Sequence, residues 1–119
     1  MSRLAPILLA ALLAAGCAGK GGPVRVPGGD ADRGQRLIEH YGCGGCHAIP
    51  GIRGADARVG PSLDDTRRKR FIAGHVPNTV EALERWIRDP QKVEPGTLMP
   101  DLGVTPRQAR DIVAYLYAH

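Results

Sequence analysis

The chain has 119 residues, few of them aromatic, and carries a formal net charge of +4 at pH 7. A chain of this length forms one small domain, which buries too little apolar surface to be stable without a covalent cross-link or a bound cofactor. The small net charge gives no support to a nucleic-acid partner.

Residues 1–16 have the pattern of an export signal. Arg3 supplies the positive charge, and the apolar run from Leu4 to Ala15 is too short to span a bilayer. The segment Leu13-Ala14-Ala15-Gly16-Cys17 resembles the processing box of bacterial lipoproteins, in which the cysteine is lipidated and becomes the mature N-terminus. We therefore expect an exported protein, anchored by lipidated Cys17 on the periplasmic side of a bacterial membrane. The alternative is an ordinary cleaved signal that leaves Cys17 free.

Residues 17–29 are rich in glycine and proline and carry almost no apolar side chains. This composition is typical of a flexible tether, whose end-to-end distance grows as about 5 to 6 Å times the square root of the residue number, or roughly 20 Å here. The tether is expected to let a folded domain, residues 30–119, reach a donor and an acceptor in turn.

The first predicted helix begins at Asp30 or Asp32, either of which can cap it, and runs to about Tyr41. One face carries residues at helical spacing, namely Gly34, Leu37, Ile38 and Tyr41. Glycine inside a helix is about 1 kcal/mol less favourable than alanine, so Gly34 indicates that another backbone approaches closely there. The alternative is a glycine that is simply tolerated near the cap.

The pentapeptide Cys43-Gly44-Gly45-Cys46-His47 follows this helix. Two cysteines one helical turn apart and a following histidine are the attachment pattern of c-type haem, because the thiols add to two vinyl groups of one porphyrin and the histidine ligates its iron. A covalently held haem c would also fill the volume that aromatic side chains usually occupy.

Three other interpretations of the pentapeptide are a redox dithiol, a structural zinc site and a structural disulfide. A redox dithiol is expected in a βαβ context, and a zinc site needs a second pair of ligands. The remaining candidates are scattered: Cys17, His40, His75 and His119. The sequence therefore favours one haem.

The second half of the chain predicts two further helices. Residues 51–59 are rich in glycine and charge and are predicted to be loop. Asn78 and Glu81 are the predicted caps of a helix that ends at Asp89-Pro90. Thr105-Pro106-Arg107-Gln108 combines an N-cap, a proline at the first helical position and a glutamine placed for a capping box. The apolar stripes are Val80, Leu83, Trp86 and Ile87 in one helix, and Ala109, Ile112, Val113 and Leu116 in the other.

No alternating strand pattern appears, so the predicted fold class is all-α. We expect the last helix to pack across the first at Gly34. The run Arg67-Arg68-Lys69-Arg70 predicts either a surface that steers an acidic redox partner or a solvated face with one arginine on a haem propionate.

Three elements occur in order: the pentapeptide, Gly60-Pro61-Ser62-Leu63 and Thr97-Leu98-Met99-Pro100. Together they resemble a class I cytochrome c over almost all of residues 30–119. The stretch from 78 to 100 is similar to the cytochrome c domains associated with haem-copper oxidases. The resemblance implies a cytochrome c fold, a small helical domain wrapped around one covalently bound haem.

The resemblance also implies a role for each matching residue. Cys43 and Cys46 would hold the haem, and His47 and Met99 would ligate its iron. The Pro61 carbonyl would accept a hydrogen bond from His47, and Trp86 would line the haem pocket on the methionine side. Arg68 and Arg70 would bind the haem propionates. His75 is the alternative to Met99 as the distal ligand.

A haem iron with histidine and methionine on its two sides leaves no open position for a substrate, so the implied function is one-electron transfer without a small-molecule substrate. The expected donor is a quinol-oxidising complex, and the expected acceptor is a terminal oxidase. One alternative is a fixed electron-accepting subunit of a dehydrogenase. Another is an enzyme or sensor in which the methionine ligand is lost.

Overall fold

The computed structural model describes residues 24–119. Four α-helices follow one another in this part of the chain: α1 (Ala31–Tyr41), α2 (Val80–Arg88), α3 (Pro90–Val93) and α4 (Pro106–Ala118). Short 3₁₀ turns cover Cys43–Gly45 and Thr66–Arg68. The predicted signal peptide, Cys17 and the first part of the predicted tether lie outside the described residues. Within residues 24–119, no helix combines the length and the apolar character needed to cross a membrane.

The mostly helical fold agrees with the all-α prediction, with one small exception. Strands β1 (Phe71–Ile72) and β2 (Val76–Pro77) form an antiparallel ribbon, in which Ile72 pairs with Val76. The turn between them places Ala73 at φ 48° and Gly74 at φ 78°. Two-residue strands are too short to produce an alternating pattern, so the sequence could not predict them.

Helix α1 has both of its ends marked in the sequence. The Asp30 side chain accepts a hydrogen bond from the Arg33 N–H at 2.8 Å, so Asp30, and not Asp32, is the N-cap. At the other end Gly42 adopts a left-handed conformation, φ 70°, and its N–H bonds to the Glu39 carbonyl. A left-handed glycine of this kind commonly caps the C-terminus of a helix. The 3₁₀ turn that begins at Cys43 follows directly after it.

Helices α1 and α4 cross at Gly34, as predicted. Gly34 is buried, and a Cβ atom there would collide with the main-chain carbonyl of Asp111. The same crossing carries a polar clamp, because the Asp111 carboxylate accepts hydrogen bonds from the Asp30 N–H at 2.9 Å and from Arg33 Nε at 2.9 Å. The missing side chain lets the two backbones come into contact, and the hydrogen bonds of Asp111 join the two helices at this point.

Helices α2 and α4 are capped by threonines. Thr105 and Gln108 form the predicted capping box, with Thr105 accepting from the Gln108 N–H and Gln108 accepting from the Thr105 N–H. The caps predicted for α2 were wrong. Thr79 is the N-cap of α2 and accepts from the Ala82 N–H at 3.1 Å, while the Asn78 side chain bonds elsewhere. Asn78 and Thr79 are both good caps by residue type, so the sequence did not distinguish them.

The packed part of the molecule includes residues from the predicted tether. Val26 is buried in the core, and the Pro27 carbonyl accepts a hydrogen bond from Arg110 at 2.8 Å. A Cβ at Gly29 would lie 2.8 Å from the Ala114 Cβ. Residues 26–29 therefore lie against α4, although the sequence predicted them to be part of the tether.

Candidate cofactor site

A cavity of about 680 Å³ opens between α1, α2, α4 and the segment before α4. This volume lies in the range of proteins' ligand and cofactor sites, about 300 to 1,000 Å³. Its walls are largely apolar. The predicted site residues that line it are Cys43, Cys46, His47, Pro61, Trp86 and Met99. Six positions spread over more than fifty residues of sequence are thus brought to one place.

The 3₁₀ turn after α1 presents the two cysteines. The Cys43 carbonyl accepts hydrogen bonds from the N–H groups of Cys46 and His47, at 3.2 and 3.0 Å. A Cβ at Gly44 would lie 2.8 Å from the Ala55 Cβ, whereas a Cβ at Gly45 would meet nothing within 4 Å. Only the first of the two glycines is therefore required by packing.

The Cys43 thiol is half-buried, and this burial raises its pKa above the ordinary value. Redox-active dithiols have thiols whose pKa is lowered by a helix N-terminus or a nearby cation. The environment of Cys43 has the opposite effect, which does not favour the redox-dithiol interpretation.

His47 is held by a main-chain carbonyl. Its Nδ1 lies 2.7 Å from the Pro61 carbonyl oxygen, which can only accept, so Nδ1 carries the proton and Nε2 keeps its lone pair. Gly60 lies so close to the ring that a Cβ there would be 2.8 Å from Nδ1. The Gly60 N–H in turn donates to the Cys46 carbonyl at 2.8 Å. The glycine and the proline carbonyl together set the position and orientation of the imidazole ring.

The two candidates for the distal position lie in different surroundings. Met99 lines the cavity. His75 lies in the turn between the two strands, is exposed, and has its Nε2 at 3.4 Å from the Glu94 carboxylate. His75 does not belong to the cavity wall, although its neighbours Ala73 and Gly74 do.

One residue of the basic run lines the cavity, and it is not one of the two arginines predicted to meet the propionates. Arg68 pairs with Asp65 at 3.6 Å, and Arg70 lies over the Phe71 ring at 5.8 Å. Neither arginine lines the cavity, but Lys69 does, and its ammonium group donates to the Ser62 carbonyl. The lysine between the arginines is therefore the basic residue of this run nearest to the site.

Two residues that position the site were missed in the sequence. Asn78 donates to the carbonyls of Thr66 and Lys69, at 2.7 and 2.8 Å, and accepts from the Tyr117 hydroxyl at 2.7 Å. It thereby ties the segment around Thr66, which lines the cavity, to α4. The second residue is Gln91, whose side chain bonds to the segment that carries Met99. No spacing rule marks either residue, because the groups to which they donate are main-chain carbonyls.

The zinc interpretation finds no support in this geometry. Among residues 24–119, no three His, Cys, Asp or Glu side chains are grouped so that they could hold a metal ion. A structural zinc site needs four such ligands.

The comparison with protein families agrees with the geometry. A family model described as Cytochrome c matches residues 31–118. The chain belongs to the cytochrome c family. Members of this family bind haem c covalently, one haem in a small domain of this kind, so the chain is an electron-transfer haemoprotein domain.

Similar proteins include two oxidase subunits. The cytochrome c oxidase subunit 2 of Alkalihalophilus pseudofirmus is 37% identical over 89 residues, which are 72% of this chain and 25% of that protein. The cytochrome c oxidase subunit 2 of Bacillus sp. PS3 is 41% identical over 64 residues, which are 52% of this chain and 18% of that protein. The chain thus spans a quarter or less of these relatives.

Among solved structures, cytochrome c2 from Rhodobacter sphaeroides superposes with a TM-score of 0.57 at 20% identity, covering 74% of this chain and 94% of that chain. At this identity the likeness shows the fold alone. It confirms the predicted cytochrome c fold.

The residues present fit a covalently bound haem. The cavity is apolar, two thiols and one oriented imidazole lie on its wall, and Gly60 leaves room for the ring of His47 where any side chain would displace it.

Proposed function

We propose that this protein is a one-electron carrier in which Cys43 and Cys46 hold the haem and His47 and Met99 ligate its iron. The observation that carries the proposal is that all four side chains line one apolar cavity, from which His75 is absent. With both axial positions taken, the site offers no place for a substrate, and the protein is not an enzyme.

When bound, a haem would accept and release one electron as its iron alternates between the ferric and ferrous states. The protein residues set how readily this happens. The Pro61 carbonyl holds the His47 ring in one orientation and raises its basicity. The apolar wall, to which Leu83, Trp86 and Ile87 of α2 belong, keeps water from the iron and disfavours the more charged ferric state. The thioether of Met99, a soft ligand, favours the ferrous state as well.

The proposed place of this carrier is a respiratory chain, with a quinol-oxidising complex as donor and a terminal oxidase as acceptor. The support is the similarity to cytochrome c domains within oxidase subunit 2 proteins, of which this chain spans a quarter or less. The second candidate is a fixed electron-accepting subunit of a dehydrogenase. We further propose export to the periplasmic side of a bacterial membrane and anchoring through lipidated Cys17, on the basis of the leader alone.

Axial ligation is tested on the purified ferric holoprotein. Methionine ligation gives a weak near-infrared charge-transfer band, which bis-histidine and high-spin haems lack. We expect the band in the wild type and in His75→Ala, and its loss with a gain of peroxidase activity in Met99→Ala. Leu98→Ala is the matched control next to Met99. A band that survives Met99→Ala would overturn the assignment of the distal ligand.

The respiratory role is tested with membranes of the native cell. We expect reduced holoprotein to be reoxidised by these membranes, with a rate that falls as salt rises if docking is electrostatic. Tagged protein that instead co-purifies stably with a large dehydrogenase would support the second candidate. A Cys17→Ser variant is expected to leave the membrane fraction while keeping its haem.

A further inference from the structure

The side chain of Gln91 bridges three main-chain groups in the segment that leads to Met99. Its amide nitrogen Nε2 donates to the carbonyls of Thr97 and Met99, at 2.7 and 3.1 Å. Its oxygen Oε1 accepts from the Gly96 N–H at 3.3 Å. The Met99 N–H is bound as well, by the Thr97 hydroxyl oxygen at 3.3 Å.

The residue that forms this bridge lies in a short helix that begins at a buried proline. Gln91 lies in the single turn of α3, which begins at Pro90, and Pro90 is among the most deeply buried side chains of the protein. The turn ends where the Glu94 N–H bonds to the Pro90 carbonyl at 2.9 Å, and the Thr97 N–H bonds to the Glu94 carbonyl at 3.1 Å. The segment after α3 is thus folded back onto the helix, within reach of the Gln91 amide.

We infer that Gln91 is a positioning residue, which holds residues 96–99 against α3 and so resists displacement of Met99 from the haem iron. This inference rests on the proposed function, in which Met99 is the distal ligand. Gln91 does not line the cavity, and it acts only through the main chain of the segment that it binds.

The three bonds require an amide. Glutamine provides two N–H donors and a carbonyl acceptor on one planar group, which is what two carbonyls and one N–H need. An ionised glutamate has the same length but only acceptors, so it would set a negative oxygen against the Thr97 and Met99 carbonyls. Leucine has a similar size and offers neither donor nor acceptor.

The test uses added imidazole, a neutral nitrogen ligand that competes with Met99 for ferric iron. The more free energy is needed to move Met99 and its segment away from the iron, the lower is the apparent affinity of imidazole for the holoprotein. We expect Gln91→Leu and Gln91→Glu each to raise this affinity about tenfold. This change corresponds to a decrease of about 1.4 kcal/mol in the free energy needed to displace Met99. Titrations are followed by the haem absorbance, with thermal unfolding measured on the same samples.

Two controls separate positioning from general stability. Gln35→Leu makes the same chemical change on α1, away from the cavity, and Asp111→Asn weakens the crossing of α1 and α4. Both are expected to leave the imidazole affinity within twofold of wild type, although the second lowers the unfolding temperature. An affinity unchanged in both Gln91 variants, or raised equally in Asp111→Asn, overturns the inference. If neither Gln91 variant matures, the bridge is needed for folding itself and the inference as stated is overturned as well.

Failure of the proposed function gives a different result. In that case the wild-type ferric protein lacks the near-infrared band of methionine ligation. The Gln91 inference fails on its own when the wild type shows the band and both Gln91 variants bind imidazole as weakly as the wild type.

Discussion

The carbonyl oxygen of Pro61 accepts a hydrogen bond from Nδ1 of His47 at 2.7 Å. This single contact decides which ring nitrogen carries the proton and leaves Nε2 free to bind a metal ion. A side chain at Gly60, the residue before this proline, would occupy the space of the imidazole ring, so the glycine and the carbonyl act together on the same residue.

Gly60→Ala is expected to displace the His47 ring, because the new Cβ would lie 2.8 Å from Nδ1. We expect a loss of about 1 to 3 kcal/mol in the free energy of unfolding, typical of overpacking. The weaker hydrogen bond to Pro61 lowers the basicity of the ligand, so the reduction potential of the haem should rise. Gly45→Ala is the control, since its Cβ meets no atom within 4 Å. Equal behaviour of the two variants would contradict the prediction.

Gly34→Ala should reverse the usual effect of this substitution. In a free helix the change from glycine to alanine stabilises by about 1 kcal/mol. Here the Cβ would collide with the Asp111 carbonyl and lie 3.0 Å from the Tyr115 Cβ, so α1 and α4 must move apart. We expect a lower melting temperature, measured by circular dichroism, while Gln35→Ala on the neighbouring position leaves it nearly unchanged. A more stable Gly34→Ala protein would show that the helices do not touch there.

The Asp111 clamp predicts a pH dependence of stability. Burial alone would raise the pKa of Asp111, but the hydrogen bonds from Arg33 and the Asp30 N–H, with the nearby arginine charges, outweigh it and hold the pKa below 3.8. A carboxylate with a depressed pKa in the folded state stabilises the protein above its unfolded pKa, and this contribution is lost as the pH falls through the folded value.

Asp111→Asn is therefore expected to be less stable than wild type by about 1 kcal/mol at neutral pH, because one charge-assisted bond is lost at a pair whose arginine is partly exposed to solvent. The difference should shrink as the pH falls from the ordinary range of aspartate through the lower pKa of the folded state, where the wild-type carboxylate becomes protonated as well. Urea unfolding at several pH values measures it. A difference that stays constant down to the lowest pH would mean that charge plays no part in the clamp.

The hydrogen bonds of Asn78 predict an order of severity between two substitutions. Tyr117→Phe removes one donor to Asn78 and is expected to lower the free energy of unfolding by about 1 kcal/mol. Asn78→Ala also leaves the carbonyls of Thr66 and Lys69 without their donor, so it should be the more severe change. In the double variant the Tyr117 effect should nearly vanish. Additive losses would show that the two residues act independently.

Much of the site was predictable because its signals are local. The pentapeptide from Cys43 to His47, the cap at Asp30 and the box at Thr105 and Gln108 each depend on residues within four positions of one another. Local hydrogen bonding and helix geometry determine these features wherever the chain later packs. Gly34 was predictable for a related reason, since a glycine on an apolar helix face weakens the helix unless a neighbouring backbone packs against it.

The positioning of the site residues depended on contacts that no local pattern encodes. Gln91 and Asn78 bond to main-chain carbonyls, which every residue has, so nothing in the sequence marks their partners. Thr79 displaced Asn78 as the helix cap because the Asn78 side chain satisfies two distant carbonyls instead.

By itself, the amino-acid sequence determined the family, the haem attachment pattern, the approximate extent of the first helix and the start of the last helix, because covalent chemistry and capping act over a few residues. Only the tertiary structure decided that Met99, and not His75, lines the same cavity as His47, and that a glutamine and an asparagine far from the motif hold the surrounding segments. The physical reason is that long-range hydrogen bonds form between groups brought together by packing, and their partners are defined only once the chain has folded.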